Sequence, residues 1–393
     1  MSTQAEKLQR FAALTNRLGW DLCIEYDDKG PKFHQEGHVL SPVGITSTIA
    51  MLASGADPED AATLCQRIGI DGTEDLELVG TVLKDLSCIP KSMAFLLSTA
   101  WFTNNNALLD SDYGTAIRKF RASIISQDKS KPTLASQIND WVKEEFPVFP
   151  HVMCSVEDSS NWHTVIGNVL TFTASWESDF DPAKTCKMPF ASDKWVEVDA
   201  LVRQNECLLV ADHEKFTAVT LPYSHSPPHE WWFTAVKSKV DELDWKDFPE
   251  TLKGSQSMFK RIMIGECMLP KFKVQTNHSI KPMLENLGIS LSGKLPDLGE
   301  VYQNLDEILH SVYFEVNEGG AASPDQAGAF KVDDVDVSWK KLRFDEQFMF
   351  TVHNKKLNIA VLMGFYAGPP GDNQARPMPL FRTGYTLPGG REK

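Results

Sequence analysis

The sequence predicts an α+β protein, and three observations carry that reading. Several stretches repeat apolar residues at helical spacing. Others are apolar or alternating runs of strand length. The third is the segment after His310. Val312, Phe314 and Val316 share one face at period two, as in a strand. Gly319-Gly320 ends that strand, and no periodicity long enough for a helix follows before Phe344. Loops of that length inside a compact domain are usually functional or disordered.

In chain order, Thr3 and Glu6 form a capping box ahead of Leu8, Phe11, Leu14 and Leu18, which predicts a first helix ending at Gly19. Pro42 opens a second helix through Ala53, since its missing N–H is harmless in a first turn. The residues 94–103 suit a buried strand, and 133–146 an amphipathic helix. Strands are expected over 166–176, 216–223, 230–236 and 266–275. The residues 348–352 and 357–365 flank Asn354-Lys355-Lys356 and read as a hairpin. Gly288 to Lys294 nearly spells a phosphate-binding loop, but Leu295 stands where Ser or Thr is needed. The preceding residues read better as a helix with a glycine cap.

Composition narrows the function. The net charge is −14 across 393 residues, which disfavours nucleic acid and anionic membrane as partners. The seven cysteines are scattered and never spaced CxxC, which suits reduced thiols in an intracellular chain. The N-terminus lacks an apolar signal core, so a cytoplasmic location is expected, with the extracellular space as the alternative. No run reaches the length of a membrane span. With no GxSxG, HExxH or CxxC, the chain is expected to be neither an enzyme nor a metal or cofactor protein.

Several motifs together resemble the serpin family of protease inhibitors. Glu315-Val316-Asn317-Glu318-Gly319-Gly320-Ala321-Ala322 resembles the family's hinge, with Gly319 replacing a second glutamate. Ser41-Pro42 resembles its Phe-Ser-Pro segment, with Gly44 in place of a second serine. Ile138-Asn139-Asp140-Trp141-Val142 resembles the helix that crosses the front of the large sheet. The run from Ile166 to Trp176 and Leu269-Pro270-Lys271-Phe272 also resemble family segments. Pro379-Leu380-Phe381-Arg382 resembles the C-terminal signature, departing from it at Thr383-Gly384-Tyr385.

The resemblance implies a single domain over 1–393 with a large central mixed β-sheet, smaller sheets, surrounding helices and an exposed reactive-centre loop at 318–341. It implies a monomer whose partner is a serine or cysteine protease. Asn168 lies eight residues before Trp176, and His310 eight before Glu318, as in the family. With Ser41, these two imply the shutter, a polar cluster beneath the sheet. Trp176, Lys271 and Glu318 imply the breach, where the loop first enters.

By the family's mechanism, the protease attacks one loop bond, forms an acyl-enzyme, and is distorted as the freed loop joins the sheet. Counting forward sixteen from Glu318 places that bond at Asp334-Val335. Counting back from Arg343-Phe344 places it at Asp336-Val337. Asp333-Asp334-Val335-Asp336 resembles a caspase cleavage sequence, so an Asp-directed target is one reading. A trypsin-like bait at Lys331, Lys340 or Lys341 is another. The hinge residues Glu318, Gly319, Gly320, Ala321, Ala322, Ser323, Pro324 and Asp325 depart from the small-residue pattern of inhibitory members. Pro324 lacks a ladder donor, and Asp325 or its neighbour would face a buried surface. Inhibition by loop insertion therefore stands beside a non-inhibitory reading as carrier, chaperone or interaction protein.

Overall fold

The computed structural model describes residues 3–28, 37–87, 93–103, 112–126, 133–147, 153–154, 162, 164–192, 195–223, 231–240, 259–289, 305–321 and 336–369. Its helices are α1 (Gln4–Asp28), α2 (Pro42–Ala53), α3 (Pro58–Arg67), α4 (Glu77–Ser87), α5 (Asp112–Ile117), α6 (Leu134–Glu145) and α7 (Lys281–Asn286). None is long and apolar enough to cross a membrane.

A six-stranded sheet runs in the order β10 (Phe272–Ser279), β11 (Glu307–Val316), β4 (Thr164–Ser175), β2 (Met93–Thr103), β3 (Ala122–Ser126). A two-residue strand, β12 (Gly320–Ala321), also pairs with β4. A nine-stranded sheet runs β1 (His38–Leu40), β15 (Ile359–Tyr366), β14 (Phe348–Asn354), β8 (Trp231–Ser238), β7 (Phe216–Pro222), β6 (Trp195–Asp212), β9 (Lys260–Pro270), β13 (Asp336–Arg343). Off its path, β5 (Cys186–Ala191) pairs with β6. Both sheets are mixed: β11–β4, β2–β3 and β13–β9 are parallel, and the other pairings are antiparallel.

The main core lies between the sheets, on the face of β4 that carries Ile166, Leu170, Phe172 and Ala174. The opposite face carries Val165 and Val169, which pack with Leu134, Ile138, Trp141 and Val142 of α6. That helix therefore does lie across the front of the sheet, as its sequence implies. Thr133 caps it through its side chain.

Two segments differ from the sequence reading. The first helix does not stop at Gly19 but continues to Asp28. Trp20, Leu22 and Cys23 are buried, so the chain beyond Gly19 still has a core to cover. Gly19 marks a close approach instead: a Cβ there would lie 2.3 Å from Pro42 Cγ. The single strand expected over 266–275 is two strands in two sheets. Pro270 has no N–H with which to continue the ladder. The Lys271 N–H is instead donated to Asp199 O at 2.7 Å, and the chain passes from β9 to β10. Gly288 follows α7 at φ +74, in the position of a helix cap, and residues 290–294 of the phosphate-loop run lie outside the described residues.

The sheets are joined by an aromatic cluster. Phe350 is fully buried, with ring centroids 5.4 Å from Phe314, 5.3 Å from Phe272 and 6.1 Å from Phe233. Truncating such a residue loses transfer free energy and leaves a cavity. Phe350→Ala should lower stability by about 3–5 kcal/mol, read as a shift in the denaturant midpoint with little change in slope.

Candidate functional site: the slot between β11 and β4

The two strands at the centre of the six-stranded sheet are held together only part of the way up. Glu307–Tyr313 of β11 pair in parallel with Val165–Thr171 of β4. Above Tyr313 the strands diverge: Phe314, Glu315 and Val316 keep their partners in β10, while the wedge beside β4 is entered by Gly320 and Ala321. Those two residues run antiparallel to β4, opposite Ser175 and Ala174.

Ser41, Asn168 and His310 come together at the lower, closed part. Register alone aligns His310 with Asn168, and Asn168 with Thr99, across β11, β4 and β2. All three are buried, on the face beneath which α2 begins. The Ser41 backbone N–H donates to His310 Nε2 at 3.0 Å, which leaves the ring proton on Nδ1 to bond Asn168 Oδ1 at 2.9 Å. Asn168 Nδ2 then donates to Thr99 Oγ1 at 2.9 Å and to Gly44 O at 3.2 Å. Both imidazole nitrogens and both ends of the amide are thereby used. Burial pushes the His310 pKa down to about 3. The ring is therefore neutral, as its acceptor role requires.

Gly44 takes part through its backbone. Its N–H donates to Ser41 Oγ at 3.1 Å, capping α2. A Cβ at Gly44 would stand 2.7 Å from Asn168 Oδ1. The space of a side chain is taken by the Asn168 amide. Thr99 reads in the sequence only as part of a strand, since nothing but strand register aligns it with Asn168.

Trp176, Lys271 and Glu318 converge at the top. Trp176 is buried, stacks on Tyr223 at 4.6 Å, and donates its ring N–H to Asn317 O at 2.9 Å. Lys271 Nζ lies 2.9 Å from Glu318 Oε2, and Thr185 Oγ1 donates to Glu318 Oε1 at 3.0 Å. Burial by itself raises the Glu318 pKa. The hydrogen bonds from Lys271, its own backbone and Thr185, with the charge of Lys271, outweigh that and hold it below the ordinary carboxylate value. Lys271 is 39 % exposed, so the pair contributes on the order of 1 kcal/mol or less. Its main consequence is geometric, fixing where the chain turns.

That turn is tight. Asn317 N–H donates to Gly320 O at 2.9 Å, and Gly320 N–H returns to Asn317 O at 3.3 Å. Gly320 has φ +131, and a Cβ there would lie 2.0 Å from Ala174 O, so only glycine fits. Gly319 is buried, and its carbonyl accepts from the Trp176 N–H at 3.1 Å. Phe180 N–H donates to Glu318 O at 2.9 Å, while Arg203 sits 4.4 Å over the Phe180 ring. Thr185, Phe180 and Arg203 carry no sequence signal for this role.

The rest of the expected loop divides in three. Gly320 and Ala321 are in strand. Ala322, Ser323, Pro324 and Asp325, with Asp334 and Val335, lie outside the described residues. Asp336 and Val337, expected in the loop, are instead the first residues of β13, opposite Ile262 and Met263 of β9. The loop expected over 318–341 therefore has a strand partner at each end, because β13 extends the edge of the nine-stranded sheet through Arg343.

The pH dependence follows from His310. In the unfolded chain its pKa is near 6.5, and in the fold about 3. Between those values the unfolded state binds the extra proton, so stability rises with pH and is lost as pH falls below 6.5. Wild type should lose about 1.4 kcal/mol per pH unit from this residue between pH 6 and 5. His310→Ala should be less stable at pH 7 and lack that part of the slope, measured by denaturation at each pH.

The comparisons agree with this architecture. A profile described as Serpin (serine protease inhibitor) matches residues 13–369. Pro379-Leu380-Phe381-Arg382, read above as a family signature, lies beyond that span and outside the described residues. Neuroserpin of Gallus gallus is 24 % identical over 364 residues, covering 86 % of this chain and 87 % of its own. Serine protease inhibitor 42Dd of Drosophila melanogaster is 27 % identical over 325 residues, covering 75 % and 81 %. Among solved structures, Arabidopsis AtSerpin1 in its native stressed conformation superposes with a TM-score of 0.78 at 15 % identity, over 92 % of this chain and 98 % of its own. Native protease nexin-1 with heparin gives 0.76 at 20 %, over 92 % and 100 %. The family is one of protease inhibitors rather than enzymes. With the profile spanning most of its length over a matching fold, the chain belongs to the serpin family.

Proposed function

We propose that the chain is one domain that presents the segment between Ala321 and Asp336 to a serine or cysteine protease as a suicide substrate. The observation carrying this reading is the wedge between β11 and β4, already entered by Gly320 and Ala321. A freed loop has a defined path there, and an inserted antiparallel strand would bond to both neighbours. The Asp334-Val335 bond is the better placed of the two aspartyl candidates, because Asp336 and Val337 are engaged in the β13 ladder.

A second reading rests on the register itself. Continued downward, the pairing of Gly320 with Ser175 would set Ala322 opposite Thr173 and Ser323 opposite Phe172. Pro324 would then meet Thr171, the first residue of β4 that is already paired with Tyr313. Separation of the two strands would thus have to begin at the residue without a donor N–H. Directly paired residues share a face, so Asp325 opposite Leu170 would point into the main core. An unpaired buried carboxylate is costly there unless it takes a proton. This favours arrest after Ser323 and a non-inhibitory role as carrier, chaperone or interaction protein.

Melting curves of intact and loop-cleaved protein separate the readings. Full insertion raises the midpoint far above that of the intact form, and arrest at Ser323 raises it only slightly. Pro324→Ala with Asp325→Ala should then restore the large rise and, with a suitable protease, a denaturant-resistant covalent complex. A large rise in the wild type would establish that Pro324 is tolerated. The bait assignment has its own test. With an Asp-directed protease and trypsin applied in separate arms, the first cut should fall after Asp334, as read by fragment masses; cutting by trypsin alone, at Lys331, Lys340 or Lys341, would rule the aspartate out.

A further inference from the structure

The most exposed large apolar side chain among the described residues is Trp195, at 73 %. It lies at the start of β6, opposite Ala191 of β5. Met188 and Phe190 of β5, and Val198 of β6, point into the core, so the alternate residues Pro189, Trp195, Glu197 and Asp199 form the outer face of this hairpin. One lysine, Lys187, answers the two acids, 2.8 Å from Asp199. Glu346, 49 % exposed, stands at the same end through its bridge to Ala191. It pairs with Lys237 at 3.0 Å, and Lys237 also meets Asp345 at 2.5 Å. Lys187 and Lys237 together thus answer Glu197, Asp199, Asp345 and Glu346 and leave an excess of acid. An exposed indole beside excess negative charge is a surface suited to a cationic and apolar segment.

Such a segment begins next to it. Gly368 stands at φ +120 with the position of its Cβ 3.4 Å from both Phe190 and Ser192, so the chain leaves β15 against this hairpin. The residues 370–393, beyond the described part, follow at once. From Asn373 to Arg391 they contain no acid, but Arg376, Arg382 and Arg391 with Met378, Leu380, Phe381 and Tyr385. This is a local excess of positive charge in a chain of net charge −14. A dozen residues span up to roughly 40 Å, ample for Phe381 and Arg382 to fold back on Trp195. The family profile ends at residue 369, so this segment lies beyond the matched span.

We propose that residues 376–385 dock on the outer face of the β5–β6 hairpin of the same chain, with Arg382 over Trp195 and facing Glu197. Because Ala191 N–H also donates to Asp345 O at 2.7 Å, the docked segment braces the point where the chain leaves β13.

The test is trypsin cleavage of the folded full-length chain at Arg382-Thr383, followed by mass spectrometry. Docking predicts that wild type is cut at least tenfold more slowly than Trp195→Ala with Glu197→Gln, and that high salt narrows the gap. Acrylamide quenching of Trp195, taken as the difference between wild type and Trp195→Phe, should rise severalfold in Arg382→Glu. Equal cleavage rates together with unchanged quenching would overturn the proposal. Protection that grows with protein concentration would assign the surface to a second copy and overturn it equally.

Discussion

The fold depends on a hydrogen bond between two side chains at the middle of one sheet, from His310 Nδ1 to Asn168 Oδ1. It ties β11 to β4 at the level where α2 begins. It can form only if the imidazole is neutral and its other nitrogen is occupied, which the Ser41 N–H ensures. Desolvation makes the charged form unfavourable, and the bonding pattern makes it useless, so both effects act in the same direction. The helix cap, the asparagine and Thr99 complete a network in which every member has a partner. Buried polar networks satisfied in this way stabilise one arrangement and oppose partial ones.

Above that row the constraint changes from chemistry to shape. The wedge between the strands is filled by backbone, and Gly320 is the only residue type that can approach Ala174 O so closely. Trp176, stacked on Tyr223 and bonded to Asn317 O, forms one wall of the turn. Lys271, Thr185 and Phe180 hold Glu318 from the other side. The chain thus enters the wedge by one path, through Gly320 and Ala321. Its register at that entrance decides which later side chains would meet the core.

Much of the architecture was legible in the residues. Period-two alternation located β11, amphipathic spacing located α6, and Pro42 located the start of α2. These are local effects, set by side-chain spacing and by which backbone groups lack partners. The failures were also local in origin. Gly19 carries a stop signal by propensity, yet packing against Pro42 and the burial of Trp20 override it. Pro270 interrupts a run that alternates well enough to look continuous, and only the change of sheet explains the break.

The sequence by itself determined the family pattern, the spacing of Asn168 from Trp176 and of His310 from Glu318, and the presence of a proline and an aspartate early in the loop. Tertiary structure alone decided that Thr99 joins Asn168, that Gly44 acts through its backbone, and that Thr185 and Phe180 hold Glu318. It also decided that the first closed rung of the sheet is Thr171 with Tyr313, four residues along β4 from the Ser175 that faces Gly320. The physical reason is that spacing along a chain sets which face a residue occupies, whereas its partner across a sheet is set by register. Register depends on the packing of strands far apart in sequence.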